Sequence, residues 1–290
     1  MSRDQRGGAA YSPSAVARAF VAARQAGVAM SVFPGPLPPD MAAGYATQAE
    51  AIGLWPDEVA GWKVGRIASE LADEMGADRV AGPVFSRNVW RAADGEATVL
   101  PVIEGGFAAV EAEYVYRIGQ DAPLARADWS PESALGLVED QLVGVEFAGS
   151  PLAQINALGP RVVAADFGNN AGLVLGRPVP DWRSRTDDWP PVEAYVGGKL
   201  VGRGAPSSLP GGPPAALAFL ANLCAERGMP LKRGQLVSTG AASGIHRIVA
   251  GQTARIVFEG LGEIHCAAGP ARPVERERGG PTHERRDARS

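Results

Sequence analysis

The stretch Val110-Glu111-Ala112-Glu113-Tyr114 has the pattern of a β-strand that continues through the next two residues. Because side chains alternate between the two faces of a strand, Glu111 and Glu113 point to the same side. Neighbouring carboxylates repel each other unless a positive charge lies between them, and hard cations such as Mg²⁺ and Mn²⁺ prefer carboxylate oxygen. The same pattern is also typical of the solvent-facing side of a half-buried sheet. The positions of other acids in the chain are therefore needed to choose between a metal site and the solvent-facing side of a sheet.

A third acid, Glu146, lies in the apolar stretch 142–147, which is predicted to be a buried strand. A glutamate among apolar residues is costly to bury unless it is paired or binds a metal. Because consecutive elements usually lie side by side, this strand is expected to pair near the Glu-x-Glu strand. Three carboxylates on an octahedral cation leave about three positions for water or substrate. The alternative for Glu146 is a buried ion pair with an arginine or a lysine.

Lys63, Asp166 and Asn169 are the candidates for catalysis. Lys63 lies between Trp62 and Val64, so its ammonium group would leave an apolar neighbourhood. Burial and a nearby cation both lower the pKa of a lysine, which makes it usable as a base. Asp166 and Asn169 belong to a polar cluster at the end of a predicted strand and could orient a water or a carboxylate. The alternatives are an ordinary surface lysine and side chains that serve only the local turn.

The candidates for substrate binding are spread over three stretches. Ser238, Thr239 and Gly240 end a predicted strand, where hydroxyl and backbone N–H groups suit an anion. Arg247, in a glycine-flanked loop, could hold a substrate carboxylate, and Phe85, in the extended stretch 82–90, is assigned to the same site. Turn formation explains the Ser-Thr-Gly stretch equally well, and surface exposure is the ordinary state of an arginine.

The composition is that of a globular protein that does not bind nucleic acid. Of the 290 residues, 46% are hydrophobic and 21% charged, and the net charge of −4 argues against a general nucleic-acid binder. No apolar run is long enough to span a membrane, so no membrane partner is expected. The two cysteines, Cys224 and Cys266, provide no disulfide framework, which is typical of a reducing cytoplasm.

The pattern of elements predicts an α+β fold with many short strands. The 37 glycines and 24 prolines favour turns and a β-rich body. Residues 1–60 are predicted to be a small helical N-terminal segment, 61–268 the β-rich catalytic domain, and 269–290 a disordered tail. Among the local predictions are helices at 14–25, 40–52, 69–75, 130–141 and 215–227, a strand at 162–166 and a hairpin at 192–201.

Five short motifs follow one another at characteristic spacing. They are Gly-Trp-Lys-Val-Gly at 61–65, Val-Glu-Ala-Glu at 110–113, Val-Glu-Phe at 145–147, Ala-Asp-Phe-Gly-Asn at 165–169 and Ser-Thr-Gly at 238–240. In this order the chain resembles the fumarylacetoacetate hydrolase superfamily, and specifically its 2-keto-4-pentenoate hydratase branch. Tyr45 and Gln48 also match the helix that precedes the lysine strand in that branch. The resemblance implies a mixed β-roll with a metal site in its mouth and assembly into homo-oligomers.

The resemblance also implies roles for the site residues. Glu111, Glu113 and Glu146 are then the ligands of Mg²⁺ or Mn²⁺, and Lys63 matches the catalytic lysine. The implied substrate is a 2-oxo acid in its 2-hydroxydienoate form, from aromatic-ring breakdown, to which water adds at carbon 4 to give a 4-hydroxy-2-oxo acid. The alternatives are a 4-oxalocrotonate-type decarboxylase, a carbon–carbon hydrolase of acylpyruvates and a non-catalytic homologue.

The distribution of histidines favours a hydratase or a decarboxylase over a hydrolase. The hydrolases of this superfamily use a glutamate-activated histidine on the segment between the lysine strand and the Glu-x-Glu strand. Here the corresponding interval, 64–110, contains no histidine, and the chain has only His246, His265 and His283. Only His246 is expected to approach the site, from a different loop.

Overall fold

The computed structural model describes residues 10–185 and 189–273. Two capped helices open the chain: the Ser12 side chain accepts a hydrogen bond from Ala15 N, and Asp40 does the same for Ala43 N. Gly27, in the left-handed conformation, ends the first helix. The helices in the described ranges are α1 (Pro13–Ala26), α2 (Met41–Leu54), α3 (Ser69–Met75), α4 (Pro131–Leu135), α5 (Pro160–Ala165) and α6 (Gly212–Glu226).

The strands form two sheets. In chain order they are β1 (Val59–Arg66), β2 (Arg79–Phe85), β3 (Val89–Arg91), β4 (Ala97–Val102), β5 (Phe107–Ile118), β6 (Val138–Ser150), β7 (Asn170–Pro178), β8 (Val192–Val196), β9 (Lys199–Gly204), β10 (Leu236–Ser238), β11 (His246–Arg247), β12 (Thr253–Phe258) and β13 (Gly262–Pro270). Within the described residues, the larger sheet has the order β2-β1-β10-β5-β6-β7-β3, with β11 also paired to β5. The smaller sheet has the order β4-β13-β12-β8-β9.

The centre of the larger sheet is the long antiparallel pair β5 and β6. Both strands are buried over almost their whole length, as expected for strands that are covered on two faces. One face packs against the smaller sheet, in a core to which Val110, Val145 and Ile256 contribute. The glutamates of β5 and β6 belong to this central pair, so the most buried part of the sheet carries the acids.

The N-terminal helices pack onto the β-rich body. Val16 and Phe20 of α1 share a hydrophobic core with Phe107, Leu152 and Val162 of the body. The helical N-terminal segment is therefore joined to the sheets by a common core. This architecture confirms the α+β fold with few helices and strongly curled sheets.

The predicted helix at 130–141 is too long. The capping box formed by Ser130 and Ser133 starts the helix as expected, but α4 ends at Leu135 and Gly136 follows. From Val138 onward the chain belongs to β6, which pairs with Ile118 of β5. Pairing with a long neighbouring strand overrides the helical tendency of the local sequence.

The predicted strand at 162–166 is wrong, because this segment is the helix α5. Two valines, Val162 and Val163, suggested a strand, but Gly159 and Pro160 provide a helix start, with proline in the first turn. The helix has only six residues, and four of them are buried. Burial of a short helix gives the same apolar run as a buried strand, so the sequence pattern could not distinguish them.

Several other predictions have clear outcomes. The hairpin of β8 and β9 turns at Gly197 and Gly198, both with positive φ, as the sequence predicted. β13 extends to Pro270, so the predicted tail begins inside a strand, and its residues 274–290 lie outside the described residues. None of the helices in the described ranges has the length and apolar character needed to cross a bilayer. The expected homo-oligomer, the cytoplasmic location and the domain limits stay predictions.

A close backbone approach at Gly82 gives a test of the fold. A Cβ atom at this position of β2 would lie 2.0 Å from the carbonyl oxygen of Phe167, so a side chain cannot fit without a shift of backbone. Gly82→Ala is expected to lower the free energy of unfolding by about 1–3 kcal/mol, as overpacking does. Urea denaturation followed by circular dichroism measures the change.

Gly53→Ala is the control for this prediction. Gly53 is exposed in α2, and no atom lies within 4 Å of a Cβ built on it. Alanine is the better helix former, so this variant should gain up to about 1 kcal/mol. Equal stability of the Gly82→Ala variant and the wild type would contradict the packing described for β2.

Candidate active site

The register of the central strands brings three carboxylates together. Glu111 of β5 lies directly opposite Glu146 of β6, and Glu113 lies opposite Gly144. Side chains directly opposite each other in an antiparallel pair lie on the same face. One carboxylate oxygen from each glutamate lies within 4.8 Å of the others. The residues are 4%, 0% and 0% exposed in the order Glu111, Glu113, Glu146.

Glu113 is held through one of its two oxygens. Its Oε2 accepts hydrogen bonds from the Ser238 hydroxyl and from the backbone N–H of Gly240, the latter at 2.9 Å. No group in the described part of the chain donates to its other oxygen, Oε1, although that atom is buried. The Ser-Thr-Gly stretch therefore orients a glutamate and leaves one oxygen of it free.

Glu146 has the same arrangement with different partners. Its Oε1 accepts a hydrogen bond from the side-chain amide of Asn170 at 3.1 Å and lies 3.4 Å from the Lys63 ammonium. Its Oε2 is buried and, within residues 10–185 and 189–273, has no hydrogen-bond partner. The two interpretations of Glu146, a buried ion pair and a member of an acidic cluster, are therefore compatible. Glu146 forms an ion pair with Lys63 and also lies beside the other two acids.

The electrostatics of the cluster follow from burial and from crowded negative charge. Burial, reinforced by the charge of Glu146, raises the pKa of Glu111 to about 8. Burial, together with Glu146 and Glu111, raises the pKa of Glu113 well above its usual range. Burial by itself would lower the pKa of Lys63, but Glu146 and the other two carboxylates outweigh it and raise that pKa. The sequence predicted a lowered pKa for Lys63, whereas the three carboxylates beside it raise that pKa.

The cluster has the composition and the geometry of a divalent cation site. All ligand atoms are carboxylate oxygens, which Mg²⁺ and Mn²⁺ prefer. Two of these oxygens, on Glu113 and Glu146, are buried with no donor among the described residues. If all three carboxylates are ionised, their charge also exceeds the single positive charge of Lys63, and burial together with this excess raises the pKa values of Glu111 and Glu113. A divalent cation would meet both requirements, so the residues present fit it.

Glu111 and Lys63 lie at the base of a cleft of about 610 Å³, and the fully buried Glu113 and Glu146 lie behind them, next to Glu111. Glu111 and Lys63 line it from the sheet, and Asn169 lines it from the segment that follows α5. The amide of Asn169 donates to Asn156 Oδ1 at 3.3 Å. Two exposed arginines, Arg66 and Arg203, lie on the same lining. The cleft thus combines acids at its base with cations at its rim.

Asp166 is occupied by structural partners. Its Oδ1 accepts a hydrogen bond from Arg24 Nε at 2.6 Å, and its Oδ2 accepts one from the Ser150 hydroxyl at 2.6 Å. The side chain is completely buried, and Asp166 is not among the residues that line the cleft. Asn169, in contrast, is three residues further on and does reach it.

The remaining substrate candidates lie at different depths. Thr239 donates its hydroxyl to the carbonyl of Tyr114 at 2.7 Å and lines a smaller adjoining cavity. Phe85 lies in an aromatic cluster with Trp55 and Phe167, at ring-centroid distances of 5.5 and 4.9 Å. It is buried and contributes to the core rather than to the cleft lining.

Arg247 also lies away from the cleft lining. Its guanidinium carbon is 4.5 Å from the ring centroid of Phe107, the first residue of β5, in a cation–π contact. The arginines that line the cleft are Arg66 and Arg203, and sequence analysis singled out neither of them. Arg66 is the last residue of β1, the strand that carries Lys63, and was within reach of that analysis, whereas nothing local marks Arg203 or Arg24.

Solved structures share this fold, although no protein-family model matches the chain. The structure of 4-oxalocrotonate decarboxylase from Pseudomonas putida G7, complexed with magnesium and adipate, matches with a TM-score of 0.72 at 20% identity, over 88% of this chain and 97% of that one. The fumarylpyruvate hydrolase from Pseudomonas aeruginosa, in complex with Mn²⁺ and pyruvate, matches with a TM-score of 0.54 at 19% identity, over 72% and 88%. The described chain therefore has the fold of the fumarylacetoacetate hydrolase superfamily, as its sequence motifs predicted.

Proposed function

We propose that the protein is a metal-dependent lyase of 2-oxo acids, and most specifically a hydratase of a 2-hydroxy-2,4-dienoate. The observation that carries the proposal is the convergence of three buried carboxylates beside a buried lysine at the base of a cleft. A protein that only assembles has no use for this costly arrangement, which a hydrophobic cluster would replace with no loss of stability. The cluster therefore supports an enzyme over a non-catalytic homologue.

In this proposal Glu111, Glu113 and Glu146 hold one Mg²⁺ or Mn²⁺ ion. The ion, when bound, acts as a Lewis acid toward the carboxylate and the 2-oxygen of the substrate. Ser238 and Gly240 fix the orientation of Glu113, and Asn170 fixes that of Glu146. Such supporting hydrogen bonds keep ligand atoms in place before the ion arrives.

Lys63 carries the proton in this proposal. Its raised pKa means that the free protein holds it as an ammonium ion, which is a proton donor. Lys63 gives a proton to the terminal carbon of the dienol and is restored by the proton of the 2-hydroxyl, and the product is the conjugated 2-oxo-3-enoate. A water molecule then adds across the double bond: its oxygen bonds to carbon 4 as hydroxyl, and its other proton goes to carbon 3. Asn169, which lines the cleft, orients that water.

Histidine chemistry has little support in this cleft. No histidine lines it within the described residues. His246 directs Nε2 to the carbonyl of Ser243 at 3.0 Å, and burial lowers the pKa of its ring. His265 pairs with Glu263 on the smaller sheet. Without a histidine base near the carboxylates, addition to a conjugated double bond is favoured over hydrolysis of a carbon–carbon bond.

Decarboxylation of a dicarboxylic 2-oxo acid is the second candidate. The match to 4-oxalocrotonate decarboxylase extends over nearly the full length of both chains. Arg66 also favours a substrate with a second carboxylate at its far end, because guanidinium groups pair with carboxylates, whereas Arg203 is already paired with Glu193 at 2.8 Å. Both reactions would use the same lysine and the same three acids, and they differ in what the substrate carries at its far end.

The proposed function gives three predictions, and the first of them concerns the metal. Glu113→Gln removes a ligand charge and is expected to weaken Mn²⁺ binding at least about 10-fold, measured by isothermal titration calorimetry. Glu263→Gln is the matched control, because Glu263 lies on the smaller sheet in a partly exposed pair with Arg255. Its affinity for Mn²⁺ should equal that of the wild type. Unchanged binding in the Glu113→Gln variant would remove the metal site from this location.

The second prediction concerns proton transfer. Lys63→Met should keep the fold and bind Mn²⁺ at least as well, because a positive charge beside the ion is lost. Turnover should fall by about 10²–10⁴-fold, the usual contribution of a general acid or base. Lys232→Met, which removes an exposed lysine paired with Asp121, is the control and should retain full turnover. A loss below tenfold would reduce Lys63 to a structural role.

The third prediction is the reaction itself. The purified protein with Mg²⁺ is offered 2-hydroxypenta-2,4-dienoate, 4-oxalocrotonate, acetylpyruvate and fumarylpyruvate, and the products are identified by NMR. Formation of 4-hydroxy-2-oxopentanoate from the dienoate is expected, with the Glu113→Gln variant inactive. CO₂ release from 4-oxalocrotonate without hydration of the dienoate would select the second candidate. Cleavage of an acylpyruvate alone would overturn both.

A further inference from the structure

The guanidinium group of Arg24 lies inside the protein and joins three separate segments. Arg24 is in the last turn of α1, and its side chain is only 8% exposed. Besides the Nε contact with Asp166, its Nη1 donates to the carbonyl of Asn170 at 3.0 Å, and its Nη2 donates to the carbonyl of Gly149 at 2.7 Å. One side chain of the N-terminal helix thus bonds to the end of β6, the end of α5 and the start of β7.

The carboxylate of Asp166 completes this connection. Ser150, the last residue of β6, donates its hydroxyl to the second oxygen of Asp166. The hydroxyl oxygen of Ser150 in turn accepts the N–H of Leu152 at 3.0 Å. Each polar group of the ion pair is therefore satisfied although the pair is buried, which is the condition for such a pair to be stable.

The chain between Asp166 and Asn170 has an unfavourable backbone conformation. Phe167, Gly168 and Asn169 are consecutive residues in the left-handed region, with φ of 52°, 64° and 64°. Residues other than glycine avoid this region, and they adopt it only where the surrounding structure holds them. Arg24 contacts both ends of this left-handed segment, through the Asp166 carboxylate and the Asn170 carbonyl.

The left-handed segment and the residue after it supply two side chains to the candidate active site. Asn169 faces the cleft, and its side-chain carbonyl oxygen is buried with no donor among the described residues. Asn170, which directly follows the segment as the first residue of β7, donates its amide to Glu146. The conformation of this short segment therefore decides where both amides lie.

We propose that Arg24 is a positioning residue for the active site, acting through the left-handed segment. It keeps the Asn170 amide on Glu146 and the Asn169 amide in the cleft, and it touches neither the substrate nor the metal. The proposal rests on the proposed function only in taking the three glutamates as a cation site. Its chemical consequence is that a residue of the first helix sets the orientation of a ligand on β6.

The test compares Mn²⁺ affinity in Arg24→Met with that in the wild type. A positioning role predicts a loss of about 10-fold, at the low end of what partners of metal ligands contribute, because Arg24 acts through a further residue. Arg18→Met is the matched control, since Arg18 is exposed on the same helix, and it should bind Mn²⁺ like the wild type. Equal affinity in Arg24→Met and Arg18→Met would overturn the proposal.

A double-mutant cycle with Asn170→Ala separates positioning from general loss of structure. If Arg24 acts through Asn170, the double variant should bind Mn²⁺ no more weakly than Asn170→Ala alone, because the losses are coupled. Independent, multiplying losses would instead indicate that Arg24 only stabilises the fold. If Arg24→Met does not fold, Arg24→Lys takes its place: it keeps the charge on Asp166 but cannot reach all the carbonyls, and the same weakened affinity is expected.

Amide hydrogen exchange of the metal-free protein gives a readout that is independent of the proposed function. Exchange in the peptides that cover residues 162–172 should be faster in Arg24→Met than in Arg18→Met, while the peptides of β5 remain protected. Equal exchange in 162–172 would overturn the positioning role even if the site binds no metal. If the wild type binds no Mn²⁺ but exchange in 162–172 is still faster in Arg24→Met than in Arg18→Met, the proposed function is refuted. The role of Arg24 in holding the left-handed segment is then still supported.

Discussion

The structure depends on the burial of three carboxylates on one face of the central strand pair. Glu111, Glu113 and Glu146 have ligand oxygens within 4.8 Å of one another, and all three residues are almost completely buried. Both burial and mutual repulsion disfavour their ionised forms, and the raised pKa values of Glu111 and Glu113 express that cost. One lysine only partly offsets the negative charge. The surrounding structure holds this unfavourable cluster in place. The sheet, the glycines around it and the neighbouring loops all contribute.

The surrounding groups divide the oxygens of the acids into two kinds. One oxygen of Glu113 is fixed by the neutral donors of Ser238 and Gly240, and one oxygen of Glu146 by the neutral amide of Asn170 beside the Lys63 ammonium; the other oxygen of each is left without a donor in the described residues. Neutral donors orient a carboxylate without removing its charge, so the attraction for a cation is retained. Gly65 leaves room for the Lys63 ammonium beside the carboxylates, because a Cβ atom at position 65 would lie only 3.1 Å from the Lys63 nitrogen.

Much of the site could be predicted because its signals are local in the sequence. Alternation placed Glu111 and Glu113 on one face, and an acid in an apolar strand marked Glu146. The role of Asp166 could not be read in the same way, because its partner Arg24 is 142 residues away and looks like any polar residue near the end of a helix. The two wrong or overlong elements, at 162–166 and 130–141, fail for a related reason: tertiary burial and strand pairing override the local pattern.

The distance along the chain between the partners has a consequence for folding. Ser238 and Gly240 lie 125 and 127 residues after Glu113, which they orient. Contacts between residues so far apart in the chain form late, because the intervening chain must be ordered first. During synthesis Glu113 emerges well before the Ser238–Gly240 stretch that orients it. The nascent chain therefore has no finished carboxylate cluster, and under the proposed function a cation that binds only to the completed cluster would add its binding energy to the stability of the folded state.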